Sequence, residues 1–257
     1  MSVATAATPA ARGSALGRLT ITEMKLLTRE RVSLIRMAVP LILLILFGLI
    51  PFYTQPRKYL DGYTLLDAYV PILIAFSLAM ISLTSLPMVL AGYREKGILR
   101  RMQTTPAGPA RVLAAQLAAN LAVVAVMVTL ILAVARLGYG VFWPRQVAGF
   151  VVAALLAAAA LMAIGLFIAA AAATSRAAQA IGMILLYPLL FFAGLFWPIP
   201  TMPSALRHLS HATPLGAAVQ ALQDAWLGHW PHPLQLLTLA AYAVVFGVAA
   251  ARLFRWE

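Results

Sequence analysis

Long apolar runs alternate with short polar segments along this chain, and that alternation sets the predicted elements. Six runs stand out, over residues 36–52, 69–90, 112–134, 147–173, 177–196 and 234–253. Several reach or exceed the roughly 18–20 residues that a helix needs to cross the hydrocarbon core of a bilayer. The pattern predicts an all-α polytopic membrane protein with six transmembrane helices. Ahead of the first run, residues 19–36 (LTITEMKLLTRERVSLIR) mix apolar and charged positions. Leu16, Leu19, Leu26, Leu27 and Leu34 fall roughly on one face, with Lys25, Arg29 and Arg31 elsewhere. This suggests an amphipathic helix lying in the membrane interface, with a plain cytosolic helix as the alternative.

Polar residues inside the runs qualify the picture. Pro40 falls within about one turn of the start of the first span, where a missing helical hydrogen bond does least harm, and Pro51 and Pro56 end that span. Ser77, Ser82, Thr84 and Ser85 line part of the second span, at spacings that usually satisfy backbone carbonyls or helix contacts. Gln116 and Asn120 stand one turn apart on one face of the third, and such amides are costly in lipid unless they face protein or water. They read first as helix-packing contacts. The fourth span is rich in alanine, as expected of an interior helix or a subunit contact. Pro188 should bend the fifth.

Residues 197–233 break the rhythm. They hold six prolines, three tryptophans and all four histidines, with apolar stretches around Leu206 and over residues 215–227 that are too short to span. A re-entrant pair of short helices between spans five and six fits better than a loop, because non-spanning helices at membrane depth need protein or a wet cavity over their ends. Trp197, Trp226 and Trp230 read as interface anchors. His208 and His211 could share a helix face, but no cysteine exists and Asp224 is the only carboxylate nearby, so interface polarity outweighs a metal site. Asp224 could pair with Arg207 across the hairpin.

Composition agrees with the pattern. The chain is 63% hydrophobic and 10% charged, with mean hydropathy +0.92, well beyond a soluble domain. A net charge of +12 invites a nucleic-acid reading, but the charges flank apolar spans and form no basic face. With no cysteine there is no disulfide or thiol chemistry. Six spans with a cytosolic N-terminus would place fourteen of the nineteen Lys and Arg residues inside and five outside: Arg57, Lys58, Arg136, Arg145 and Arg207. That imbalance orients the protein with both termini cytosolic. The resulting organisation is a flexible cytosolic tail (1–18), the interfacial helix (19–36), a six-span domain (37–253) and a short cytosolic C-terminus (254–257). Within the domain lie a charged cytosolic loop (92–111) and the outer hairpin (197–233).

The loop, GYREKGILRRMQTTPAGPAR, is the most charged stretch between two predicted spans. Ile98, Leu99 and Met102 could form one face of a short helix that Pro106, Gly108 and Pro109 end. Such a helix, presenting Glu95 to the cytosol, could pass a push from a soluble partner to spans two and three. Ordinary positive-inside anchoring explains the arginines equally well.

Two motifs carry a family resemblance. YREKGILRRMQTTPAGPARVLAAQ, residues 93–116, resembles the acidic–Gly–Thr–Leu and Ser/Thr-Pro cytosolic segment of ABC-2 type exporter permeases, through Glu95, Gly97, Leu99, Thr105 and Pro106. FFAGLFWPIPTMPSALRHLSHATPLGAAVQALQDAWLG, residues 191–228, resembles their second signature through Gly194, Phe196, Pro198, Met202, Pro203, Pro214 and Leu215. Ile98 stands where that family usually has Thr, and Gln116 where Lys is common. The bacterial drug- and antibiotic-resistance branch is the nearest in character.

The resemblance implies a permease paired with a second copy of itself or a similar chain in the bacterial inner membrane. Two cytosolic ABC ATPase subunits would bind ATP and Mg2+ and carry out hydrolysis. This chain has no GxxxxGK[ST] loop and is expected to hold no catalytic residue, cofactor or metal of its own. Arg94, Glu95, Lys96, Gly97, Leu99, Thr105 and Pro106 would lie at the ATPase contact, and the hairpin would shape the outer exit. The cargo would be a hydrophobic or amphipathic small molecule such as a drug, antibiotic or lipid-like compound. Rival readings are a lipid-linked glycan or polysaccharide exporter, a non-ABC membrane enzyme, and an ion-coupled carrier. The last two lack the clustered or mid-span carboxylates they require.

Overall fold

A computed structural model describes residues 31–56, 63–98, 101 and 108–253. The expected tail, most of the expected interfacial helix and the C-terminal residues 254–257 lie outside them. Among the described residues every regular element is helical, and the one extended pairing is an isolated bridge between Pro56 and Thr64.

The helix α1 (Arg31–Leu49) leads into a single turn, α2 (Pro51–Thr54). Next come α3 (Leu65–Met80), a π-helical turn (Ile81–Ser85) and α4 (Leu86–Glu95), which run on as one 31-residue helix. Helices α5 (Gly108–Tyr139), α6 (Val147–Ala171) and α7 (Ser175–Phe192) follow, then the short pair α8 (Ser204–Ala212) and α9 (Pro214–Leu227), and last α10 (Pro233–Leu253). Among the described residues five units are long and apolar enough to cross a membrane: α3–α4 together, α5, α6, α7 and α10. Helix α1 corresponds to the remaining expected span, and its described apolar stretch, Ala38–Leu49, is shorter. It packs against α3 and α5. The Tyr139 hydroxyl donates to the Ile45 carbonyl at 3.2 Å, and the Phe47 and Tyr69 rings meet edge to face at 5.3 Å.

The α3–α4 helix is the axis of the bundle. Every residue from 70 to 87 is buried, as expected of a helix that is apolar all round. It exceeds its apolar run at both ends. At the start, the Thr64 hydroxyl accepts from the Asp67 N–H at 3.1 Å while the Asp67 carboxylate accepts from the Thr64 N–H at 2.8 Å. This reciprocal capping box satisfies donors that a helix terminus otherwise leaves open.

Pro87 explains the π turn and the packing around it. Proline has no N–H to give to the carbonyl four residues back, so Leu83 loses its α-helical partner. The Leu86 N–H bonds instead to Ile81, five residues back, which removes the ordinary partner of Ser82 as well. These two carbonyls are where the neighbouring helices come closest. A Cβ on Gly165 of α6 would sit 2.0 Å from the Ser82 oxygen, and one on Gly182 of α7 would sit 1.8 Å from the Leu83 oxygen. Only glycine permits that approach, which brings Cα–H groups against the released oxygens. Two hydroxyls serve the same helix: Ser77 donates to Leu73 at 2.9 Å and Thr84 to Met80 at 2.6 Å.

Around the axis, alanine-rich α6 packs against α10, α9 and α4. Its small side chains, with Ala153, Ala157, Ala158 and Ala160 buried, allow this close approach. Apolar side chains cover the outer faces, among them Leu130 on α5, Ile184 on α7 and Val244 on α10. Contiguous apolar surface of this kind suits a membrane rather than water.

Candidate functional site

The two ends of the α3–α4 axis carry the polar constructions. At its C-terminal end, Arg94 and Glu95 reach in one direction, onto the turn between α6 and α7. The Arg94 guanidinium donates to the carbonyl of Ala170 at 2.9 Å and to that of Ala172. These belong to the final turn and cap of α6, where the backbone dipole presents partial negative charge. The Glu95 carboxylate accepts from the backbone N–H and the hydroxyl of Ser175, each at 3.0 Å. Ser175 is the first residue of α7, so the carboxylate meets the positive end of that helix. Thr174 completes the cap by accepting from the Ala177 N–H at 3.1 Å. Two consecutive residues of opposite charge thus fit two adjacent helix ends of opposite polarity.

Arg94 and Glu95 therefore occupy the last turn of a helix, whereas the sequence pattern places them in a loop. The helix stops at the next step. The Lys96 N–H bonds to Gly92 at 3.1 Å and the Gly97 N–H to Arg94 at 2.9 Å. Gly97 turns into the left-handed region (φ 66°), which glycine enters without the steric cost of a Cβ. Beyond it, Arg101 N–H bonds to the Gly97 carbonyl at 3.2 Å, closing one helical turn. Leu99, Thr105 and Pro106 lie outside the described residues.

The opposite end of the axis is built around Asp67. Besides its capping role, this buried carboxylate accepts from the Phe142 N–H at 3.2 Å, tying α3 to the α5–α6 connection. The hairpin docks on the same end. Residues 145 and 146 donate backbone N–H groups to the carbonyls of Trp226 and Ala225 at 3.3 and 3.0 Å, and Gln223 donates to Ala68 at 3.2 Å.

Within the hairpin, Gly194 (φ 86°) turns the chain out of α7, and the hydroxyl of Ser210 donates to the Phe192 carbonyl at 2.5 Å. Phe196 and Pro198 are exposed, Met202 is buried and Pro203 directly precedes α8. Thr213 caps α9 through the Gly216 N–H, with Pro214 at the first helical position and Leu215 fully buried. Two expectations are corrected here. Trp226 is no interface anchor: it is 3% exposed and packs on Phe150, because α9 lies against α6. The Asp224 carboxylate is occupied by the Gln235 amide at 2.8 Å, which joins the hairpin to α10, where the sequence suggested Arg207. Burial holds the His211 imidazole below its ordinary value, and His208 and Arg207 push it the same way. Among the described residues no three His, Asp or Glu side chains gather as a metal set.

Gln116 and Asn120 are both fully buried on α5. The Asn120 amide donates to the Gln116 carbonyl at 2.7 Å, but its own oxygen and both polar atoms of the Gln116 side chain have no partner among the described residues. The Ser82 hydroxyl is in the same position. The amide pair is therefore an unsatisfied polar spot inside an apolar bundle.

Sequence reasoning missed Asp67, Ser175 and the glycines at 165 and 182. Thr-x-x-Asp ahead of an apolar run signals a cap like the one at Thr64. Thr-Ser ahead of α7 signals another. No local signal marks the two glycines, since their partner carbonyls lie in another helix.

A family model described as ABC-2 type transporter matches residues 14–227. No curated protein matches the chain significantly.

Proposed function

The chain belongs to the ABC-2 type transporter family, and from that premise we propose that it forms the membrane permease of an ATP-driven exporter for a hydrophobic or amphipathic small molecule. A permease of this family works with a separate ATPase. In this reading two such subunits bind ATP and Mg2+, hydrolyse the nucleotide and push on the cytosolic loop around Glu95. Two permease chains pair around the path, in a bacterial inner membrane, with both termini cytosolic. Helix α1 serves as the first of six spans, residues 19–36 lie in the interface, and α8 and α9 re-enter from the outer side to shape the exit.

The observation that carries the cargo class is the chemistry of the buried span residues. Among the described buried side chains, Asp67 is the only ionisable one, and Thr64 and Phe142 occupy it at a helix end. The other buried polar groups of the spans are neutral hydroxyls and amides. An ion-coupled carrier needs a carboxylate near the middle of the membrane, and a charged cargo needs a compensating charge along its path. Neutral polar groups set in apolar walls suit an amphipathic molecule.

Co-purification with ABC ATPases co-expressed from the same genome tests the assignment, followed by hydrolysis and efflux assays in lipid vesicles with a panel of lipophilic drugs. A stable complex whose hydrolysis rises with one of the drugs is the expected result. A chain that binds no ATPase, or a complex that responds only to glycan lipids, overturns the reading.

A further inference from the structure

We propose that Arg94 and Glu95 are positioning residues that fasten the α6–α7 turn to the end of the α3–α4 axis, so that motion imposed on the cytosolic loop is delivered to α6 and α7 together with α4. The inference rests on the ABC-permease reading for the source of that motion. It adds to that reading a second cytosolic turn, remote in sequence, as part of the moving body.

Three observations carry it. The bonds cross 76 to 80 residues of chain, and three of the four end on backbone groups, the fourth on the Ser175 hydroxyl, so they hold the turn itself. Their polarity is matched: a guanidinium on the C-terminal carbonyls of α6 and a carboxylate on the first N–H of α7, each on the favourable end of a helix dipole. Exchanging the two residues would oppose both dipoles.

The third observation is independent of the charges. About twelve residues along the same axis, or roughly 18 Å at the ordinary helical rise, the same two helices meet the axis again. There Gly165 and Gly182 press against the Ser82 and Leu83 carbonyls. Helices α4, α6 and α7 are thus joined at two levels. Two separated points of attachment leave little freedom to swing about either one. The π turn, with its displaced hydrogen bonds, marks the place along the axis where bending costs least.

The absence of cysteine allows a direct test. Nitroxides on Lys96→Cys and Ala173→Cys, both exposed positions flanking the clamp, report the distance between the two turns in the full chain in lipid nanodiscs. The parent is expected to give one narrow distribution. Arg94→Ala and Glu95→Ala should widen it at least about twofold, and Glu95→Gln, which keeps an acceptor for Ser175, should stay nearer the parent. In complex with the ATPase, unlabelled Ser175→Pro, which removes both donors to Glu95 at a first helical position that suits proline and leaves the residues expected at the ATPase contact in place, should bind the ATPase within about twofold of the parent. Its drug-stimulated turnover should fall at least about fivefold, the lower edge of ordinary coupling between sites. A merely structural role would lower assembly and turnover together. An unchanged 96–173 distribution in both alanine variants, or unchanged stimulation, overturns the proposal. An ATPase that fails to bind the parent overturns the exporter reading instead, while the nanodisc measurement still decides whether the clamp holds.

Discussion

Gly182 lies so close to Leu83 that a Cβ on the glycine would stand 1.8 Å from the leucine carbonyl oxygen. The contact exists because Pro87 deprives that carbonyl of its helical partner and leaves it facing α7. Gly182→Ala must therefore push two closely packed helices apart. We expect a loss of about 1–3 kcal/mol, typical of overpacking, and the same for Gly165→Ala. Gly247, with open space where its Cβ would be, is the control. There alanine should be neutral or gain up to about 1 kcal/mol in helix propensity. Thermal unfolding in detergent, followed by size-exclusion profile, distinguishes the two classes.

Asp67 caps α3 and holds the α5–α6 connection through Phe142. Asp67→Ala removes the N3 half of the capping box and leaves the Phe142 N–H without its acceptor, for an expected cost of about 1–3 kcal/mol. Thr64→Ala, which spares the Phe142 bond, should cost less. The order of the two melting midpoints is the check.

The Gln116 side chain is buried with no partner for either polar atom among the described residues. Replacing an unpaired buried amide by an apolar group of similar size is close to neutral or stabilising. Gln116→Leu should thus melt at or above the parent temperature. Asn120→Leu also forfeits the bond to the Gln116 carbonyl, so its gain should be smaller or absent. A clear loss of stability in Gln116→Leu would mean that the amide has a partner beyond the described residues.

The orientation is open to cysteine labelling. Single cysteines at Lys96 or Ala173 should react with impermeant maleimide only from the cytosolic face, and those at Arg145 or His229 only from outside. All four positions are exposed. Labelling of 96 and 145 from the same side would overturn the topology derived from charge.

Much of the architecture was legible from hydropathy, since long apolar runs name helices of spanning length whatever they pack against. Span boundaries were less so. The second span extends to Leu65 and Glu95 because a capping box and a turn at Gly97 set its limits, and hydropathy does not register either. The hairpin was visible in its prolines and short apolar stretches, and α8 and α9 lie where those stretches are. Trp226 was misread, because aromatic residues near a span end look alike until packing decides which one is covered.

By itself, then, the sequence determined the class of the protein, the position of nearly every helix and the family motifs, all of which depend on residues close together in the chain. Tertiary structure decided which of those helices is the buried axis, and it assigned Arg94 and Glu95 to a turn up to 80 residues away. The reason is physical. Helix formation and membrane partition are sums over local residues, whereas the partner of a helix end or of a released carbonyl is set by how whole helices cross.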